Sequence, residues 1–460
     1  MAEPFGDLGG SSSSNPPAFV RWAMSKVLGR IATMPAQKRR RARAEAARGR
    51  SGKPHRIDYF HQVDDGYSHL AAQLLGPLLE AYDVELVCHL VRTPAGAHTP
   101  EPELLLQLSR YDGAKIAPHY GLRFPDAVGA PDPEHVDLAE RILAGTAPAD
   151  FPAAAVAVGE ALWAADGTGV EALAERFGST SRAEADQQLE RGDALRTRLG
   201  HYSAAMFHCT GEWYWGADRF YHLENRLMEA GAARSPRSAS ICPRPAIETG
   251  PHRDDGSLTL EFYPSLRSPY TSMIFDKTLE LAEATGVTLE LRPVLPMVMR
   301  GVPAPRTKGW YIFTDTAREA HALGVDWGRM YDPIGEPVLR CYSLYPWACE
   351  QGRGAQLLGS FLRAAFVDGI NTGSDRGLKR VVEDAGLSWG EAERRVGDRA
   401  WEAELEANRL AMYDFGSWGV PSYRLLDSKG SAVLAVWGQD RLWLVSREIQ
   451  RRLREGSGGG

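Results

Sequence analysis

With 460 residues, 43% of them apolar and 24% charged, the chain holds material for two or three packed domains and does not read as disordered. Its net charge of −6 gives no global case for nucleic acid, and no apolar run approaches the roughly 18–20 residues of a membrane span. Five cysteines without a C-x-x-C spacing supply neither a disulfide framework nor a zinc signature, so a soluble, reduced, cytoplasmic protein without a metal site is expected.

Residues 1–54 read as a basic N-terminal arm. Gly9 to Pro17 is a flexible polar lead-in. Phe19, Trp22, Ala23, Val27 and Ile31 can then line one face of a short helix that packs on the body through Trp22. The run Lys38-Arg39-Arg40-Arg41-Ala42-Arg43 follows and reads as a solvated arm. At the other end, Gly456 to Gly460 read as a disordered tail.

From His55 onward the chain is regular and repeats. Arg56 to Ser68 lies without gaps on Thr259 to Thr271, an offset of 203 positions (259 minus 56). The match continues through a helix to a second strand at Val84–Val87 and Val287–Glu290. Later, Tyr214 to Arg219 resembles Val436 to Arg441, and each is followed by an amphipathic helix. Two blocks matching at both ends in the same order predict a duplicated domain. The expected units are 55–229 and 258–455, joined by an aperiodic linker over 230–257 rich in Ala, Gly, Ser, Pro and Arg. Each unit reads strand–helix–strand, then a long helical middle, then strand–strand–helix. That order makes an α/β fold with a mixed sheet and helices on both faces.

The chemistry concentrates at Arg267-Ser268-Pro269-Tyr270-Thr271, between a predicted strand (Leu258–Tyr263) and a predicted helix (Met273–Ala284). A helix start presents unpaired N–H groups and a positive dipole end, both of which favour an anionic oxygen or sulfur. Ser268 before Pro269 is also an ordinary N-cap pair, so the local pattern alone leaves both readings open.

Ser268-Pro269-Tyr270, Arg292-Pro293, Gly419-Val420-Pro421 and Trp437-Gly438-Gln439-Asp440-Arg441 stand in the order found in the DsbA-like superfamily of thioredoxin-like folds. Within it the sequence most resembles kappa-class glutathione transferases and 2-hydroxychromene-2-carboxylate isomerases. The resemblance implies two tandem DsbA-like domains, each with a mixed sheet and a large helical insertion, and glutathione as cofactor. It implies that Ser268 faces the glutathione sulfur and that a cis Val420-Pro421 peptide presents the Val420 backbone to the tripeptide. It further implies that Gln439 and Asp440 meet the γ-glutamyl end and that Lys308 approaches the glycyl end. The implied activity is a glutathione-dependent isomerase or transferase acting on an aromatic or unsaturated small molecule. Trp310, Tyr311, Tyr342, Tyr345 and Trp347 would then cover the site.

The sequence also departs from the family. No asparagine lies between Arg300 and Lys308, and Pro264 and Arg267 are unusual neighbours of the motif. In the first half Asp65-Gly66 replaces Ser-Pro and Tyr202 replaces the proline, so a degenerate partner domain is expected, forming an internal pseudo-dimer with the second. A repurposed pocket using His61, Asp65 and Tyr67 is the other reading of that half. Oligomeric state is left open. Two rivals remain for the whole chain. A non-catalytic scaffold is one. Thiol–disulfide exchange is the other, and it lacks a cysteine at Asp65, Ser68, Ser268 and Thr271.

Overall fold

The computed structural model describes residues 16–457 except 32, 95, 126–128 and 237–238, so most of the expected lead-in and the last residues of the tail lie outside the described residues. The chain divides into two compact units. One spans residues 39–245; the other combines the residues up to 38 with those from 246 onward.

The unit 39–245 is built on a four-stranded mixed sheet in the order β2-β1-β3-β4. Strand β1 (His55–His61) pairs in parallel with β2 (Val84–Leu90) and antiparallel with β3 (Met206–Cys209), which pairs antiparallel with β4 (Glu212–Trp215). Five successive β1 residues, Ile57 to His61, are buried, the pattern of a central strand covered on both faces. The second unit repeats the order as β6-β5-β7-β8, with β5 Leu258–Tyr263, β6 Thr288–Leu291, β7 Ser422–Asp427 and β8 Ala432–Trp437. Here too the first two strands run parallel and the other pairings are antiparallel. Helices lie between β2 and β3 and, from Arg306 to Asp414, between β6 and β7. The α/β architecture read from the sequence is therefore present, with two mixed sheets and a long helical segment in each.

The correspondence extends to a buried charge on each central strand. Glu261 on β5 is 1% exposed and paired with Arg292 at 2.9 Å, with Arg424 and with the Tyr263 hydroxyl at 3.0 Å. Burial alone would raise its pKa, but these partners hold it below the ordinary carboxylate value. Asp58 on β1 lies 203 positions earlier (261 minus 58) and is also buried. Its partners are Arg56 at 2.7 Å, the His89 ring at 2.9 Å and, farther off at 3.9 Å, the His208 ring. His89 precedes Arg292 by the same 203 positions (292 minus 89), and His208 and Arg424 are the registered β-partners of the two carboxylates.

The arm forms the expected helix, Ala18–Ile31, and a second one, Met34–Ser51, and departs from expectation in what it packs. Within the basic run Arg41 is buried, forking onto Glu212 at 2.9 and 2.7 Å and reaching Glu229 at 2.9 Å. A buried, bidentate guanidinium anchors that helix to the end of β4, so the run is not simply a solvated face. In the first helix the packing residue is Arg21 and not Trp22, which is 52% exposed.

The aperiodic stretch between the halves is also tied down. Asp83 N–H donates to the Ala232 carbonyl at 2.8 Å, and Glu224 accepts from the Ile241 and Cys242 N–H groups. Farther on, Gln450 exchanges two hydrogen bonds with the His252 backbone. Backbone groups satisfied by side chains need no helical or strand period, which is why no pattern marked these contacts in the sequence.

Candidate functional site

Strand β5 ends at Tyr263, and the helix Pro269–Thr285 begins six residues later. Ser268 is its N-cap, in extended conformation, and its Oγ accepts from the Thr271 N–H at 3.1 Å; Pro269 takes the first helical position. The same Oγ lies 3.4 Å from the Val420 carbonyl. This is a long hydrogen bond, so the hydroxyl proton is only weakly held and is free to turn toward another acceptor.

Val420 precedes a cis peptide to Pro421, as the resemblance implied. It packs on a small core of Tyr263, Val294 and Met412, which joins the end of β5 to the helix Trp401–Asp414. The loop is fixed from both sides. Ser422 Oγ donates to the Gly419 carbonyl at 2.8 Å and meets Ser417 Oγ at 2.7 Å. Gly438 N–H donates to the Pro421 carbonyl at 2.9 Å, which ties the loop to the segment carrying Gln439 and Asp440.

Gly419 has to be glycine. A Cβ there would sit 2.5 Å from three atoms of the Trp437 indole, whose ring lies tilted against Trp418 at 4.8 Å between centroids. Gly419→Ala is expected to lower the stability of this unit by about 1–3 kcal/mol, the usual cost of overpacking. Urea denaturation checks it, and an unchanged midpoint would show that the indole has room to move.

The expected site residues are not all equally placed. Ser268 and Val420 meet directly, and Pro421 is linked to Gly438. Asp440 is mostly buried, and its carboxylate folds back over Gly438, whose φ of 116° and missing Cβ make room for it. The Gln439 side chain points inward instead, donating to the buried Glu319 at 2.9 Å. Lys308 lies in the first turn of the helix Arg306–Leu323, half-buried, and burial lowers its pKa to about 8. That helix is held to the Ser268 helix by the Tyr270 hydroxyl, which donates to Asp315 at 2.8 Å, while Arg318 takes the other carboxylate oxygen at 2.9 Å.

Of the aromatic residues expected to wall the site, Tyr342 is fully buried and structural. Its hydroxyl donates to the Val294 carbonyl at 3.0 Å and accepts from Leu266 N–H at 3.3 Å, bracing the turn before Ser268. Tyr345 and Trp347 are buried, whereas Trp310 is 49% exposed.

Arg267, immediately before the serine, forks onto Asp332 at 2.9 Å through both oxygens. Burial opposes ionisation of Asp332, but this pair holds its pKa below the ordinary value. The Asp332 and Ile334 carbonyls in turn accept from Arg21 at 2.6 Å each. Neither the Arg267–Asp332 nor the Tyr270–Asp315 pair was found from sequence. For the second a signal existed: Tyr67 and Asp112 stand at the same 203-residue offset (270 minus 67, 315 minus 112) and bond at 2.9 Å.

In the first half the matching helix start is Asp65. Its carboxylate accepts from Tyr67 and Ser68 N–H, at 3.4 and 2.9 Å, and from the Ser68 hydroxyl at 2.8 Å. Burial nevertheless raises its pKa to about 6. A Cβ on Gly66 would meet the Ser109 carbonyl at 2.7 Å, so the insertion helix Pro102–Ile116 closes against this turn. Among the described residues the only cis peptide is at Pro421, and Tyr202 instead stacks between His201 and His98. His61, Tyr59 and the Ser68 carbonyl form a fully buried string, with the Tyr59 hydroxyl 3.0 Å from His61 Nδ1 and 2.9 Å from the carbonyl.

Residues 259–450 match the family model of the DSBA-like thioredoxin domain. Among solved structures, a 2-hydroxychromene-2-carboxylate isomerase is 18% identical, covering 44% of this chain and 99% of its own, with a TM-score of 0.37. A probable DsbA oxidoreductase from Streptomyces coelicolor is 19% identical, covering 42% of this chain and 90% of its own, with a TM-score of 0.32. The cytosolic disulfide reductase DsbM from Pseudomonas aeruginosa, solved with GSH, is 19% identical, covering 42% and 99%, with a TM-score of 0.32. No curated protein matches the chain. The matched residues 259–450 include the sheet β6-β5-β7-β8 and the Ser268 helix, so this part of the chain is similar to a DSBA-like thioredoxin domain.

Proposed function

We propose that the second unit binds glutathione at Ser268 and uses it as a nucleophile in a glutathione-dependent isomerase or transferase reaction. The observation that carries this reading is the Ser268 hydroxyl, held at a helix N-terminus 3.4 Å from the Val420 carbonyl. A hydroxyl donor and the positive end of a helix both stabilise a thiolate, and serine cannot form a disulfide with it. With serine at 268 and threonine at 271, the position of the attacking thiol in exchange chemistry is vacant of sulfur. The sulfur has to come from the ligand.

In this proposal Ser268 orients and stabilises the thiolate, and the Val420 backbone pairs with the cysteinyl residue as an added strand does. Asp440 receives the γ-glutamyl ammonium, and Lys308 takes the glycyl carboxylate. Gln439, engaged with Glu319, contributes by fixing that helix start and not by contacting the ligand through its side chain. The thiolate adds to an electrophilic carbon of an unsaturated or aromatic substrate, forming a C–S bond. In an isomerisation the substrate then rotates, the C–S bond breaks, and the thiolate returns unchanged. In a transfer the bond persists and the leaving group departs. The two halves are read as duplicated domains, with the first as a partner. Asp65 there places a carboxyl at the position of Ser268, which would repel a thiolate once ionised.

Thermal shift tests the reading. Millimolar glutathione is expected to raise the melting temperature of the wild type, with about 2.7 kcal/mol of stabilisation at a hundredfold excess over Kd. Asp440→Ala is expected to lose most of the shift. Ser268→Ala is expected to keep part of it but to lose the thiolate ultraviolet absorbance of the bound ligand. No shift in the wild type would leave the scaffold reading in its place.

A further inference from the structure

The helix Ala18–Ile31 is packed with its polarity reversed. Its buried residue is Arg21, 5% exposed, whose guanidinium donates to the carbonyls of Pro16 at 2.9 Å and of Asp332 and Ile334 at 2.6 Å each. Tyr331 adds a hydroxyl bond to the Ala18 carbonyl at 3.2 Å. Polar contacts thus hold the helix, and its large apolar side chains face outward. Phe19 is 74% exposed, Trp22 52%, Val27 51%, Met24 49% and Val20 44%. At 100° per residue, Phe19, Val20, Ala23, Met24 and Val27 fall within an arc of about 140°. Exposed Lys26 lies just outside that arc on its Phe19 side, with Trp22 beyond it, and exposed Arg30 falls just inside the same edge.

Charge selects the occupant. The helix itself contains Arg21, Lys26 and Arg30 and no Asp or Glu, although the whole chain carries −6. A second copy of the chain would bring the same positive charge against this face, which opposes self-association. An apolar arc edged by Lys, Arg and Trp matches the layering of a bilayer surface, with acyl chains below anionic headgroups. No helix among the described residues is long and apolar enough to cross a membrane, so the contact is peripheral. We infer that the helix Ala18–Ile31 docks the protein on an anionic lipid surface. Phe19, Val20, Met24 and Val27 enter the acyl boundary, Trp22 sits at headgroup depth, and Lys26 and Arg30 pair with lipid phosphates.

Co-sedimentation of the full-length chain with vesicles tests this. Vesicles of phosphatidylcholine with phosphatidylglycerol are expected to bind the protein at least tenfold better than phosphatidylcholine alone, with binding weakened by salt. The double variant Phe19→Ser/Trp22→Ser is expected to lose at least tenfold in partitioning while melting as the wild type does, because both side chains are exposed. Lys26→Glu/Arg30→Glu is expected to abolish the preference for anionic lipid. Absence of binding to anionic vesicles at low salt overturns the inference, as does equal binding to both vesicle types. So does wild-type partitioning of the double serine variant, or self-association of the wild type that this variant abolishes, which would make a second copy the occupant.

Discussion

Arg424→Met is expected to destabilise the second unit by about 3–5 kcal/mol, as breaking a buried ion pair from one side does. The variant strips from the Glu261 carboxylate the guanidinium that bonds it from the neighbouring strand, leaving Arg292 and the Tyr263 hydroxyl. Glu261 is 1% exposed, so the loss falls on a buried charge. The complementary change, Glu261→Leu, is expected to cost less, since Arg424 and Arg292 are a fifth and a third exposed and can turn to solvent. The double variant Glu261→Leu/Arg424→Met is expected to recover part of the loss, because an apolar pair replaces an orphaned charge. Urea denaturation of the three proteins measures this. A double variant less stable than Arg424→Met would sink the account.

The first unit is expected to weaken as pH falls below about 6.5. Burial holds His61 at about 3, helped by repulsion from His69, and holds His69 itself at about 4. Burial together with Arg196, His208 and His98 holds His201 at about 3. Each folded value lies below the ordinary 6.5, so the folded unit binds fewer protons than the unfolded chain. Stability is fully present above 6.5 and is lost as pH drops toward 3–4. One such histidine forfeits about 2 kcal/mol at pH 5, at 1.36 kcal/mol per unit. Asp65 acts oppositely. Its value of about 6 lies above the ordinary 3.8, so its contribution grows as pH falls through 6, returning about 1 kcal/mol by pH 5. Three histidines against one carboxyl leave a net loss of a few kcal/mol. Hydrogen exchange at pH 7 and 5, corrected for intrinsic rates, is expected to show β1 losing protection before β5. Equal retention in both strands would contradict it.

The two central strands meet one requirement with different side chains. At equivalent positions the second half carries Arg292 and Arg424 around its buried carboxylate, which stay charged at every accessible pH. The first half carries His89 and His208 there, beside the permanently charged Arg56. The fold tolerates either set, because what the strand requires is a compensated carboxylate.

Much of this protein was legible in its residues. The 203-residue offset, the strand–helix–strand openings and the closing hairpins are local patterns of period 2 and 3.6, and they led to two mixed sheets, though not to the order of their strands. Ser268, Pro421 and Asp440 could be picked out because short motifs kept their order along the chain. What sequence could not decide was direction. A basic run and an apolar stripe are equally compatible with either face of a helix turned inward, and only the packing shows Arg41 and Arg21 inside and Trp22 outside. Pairings across the sheet and between helices, Glu261 with Arg424 and Tyr270 with Asp315, join residues 163 and 45 positions apart. No local period encodes such contacts. Sequence determined which residues stand at the helix start and in the loop after the insertion; tertiary structure decided that Ser268 faces Val420 while Gln439 turns away to Glu319, because a buried amide must find a partner wherever the fold supplies one.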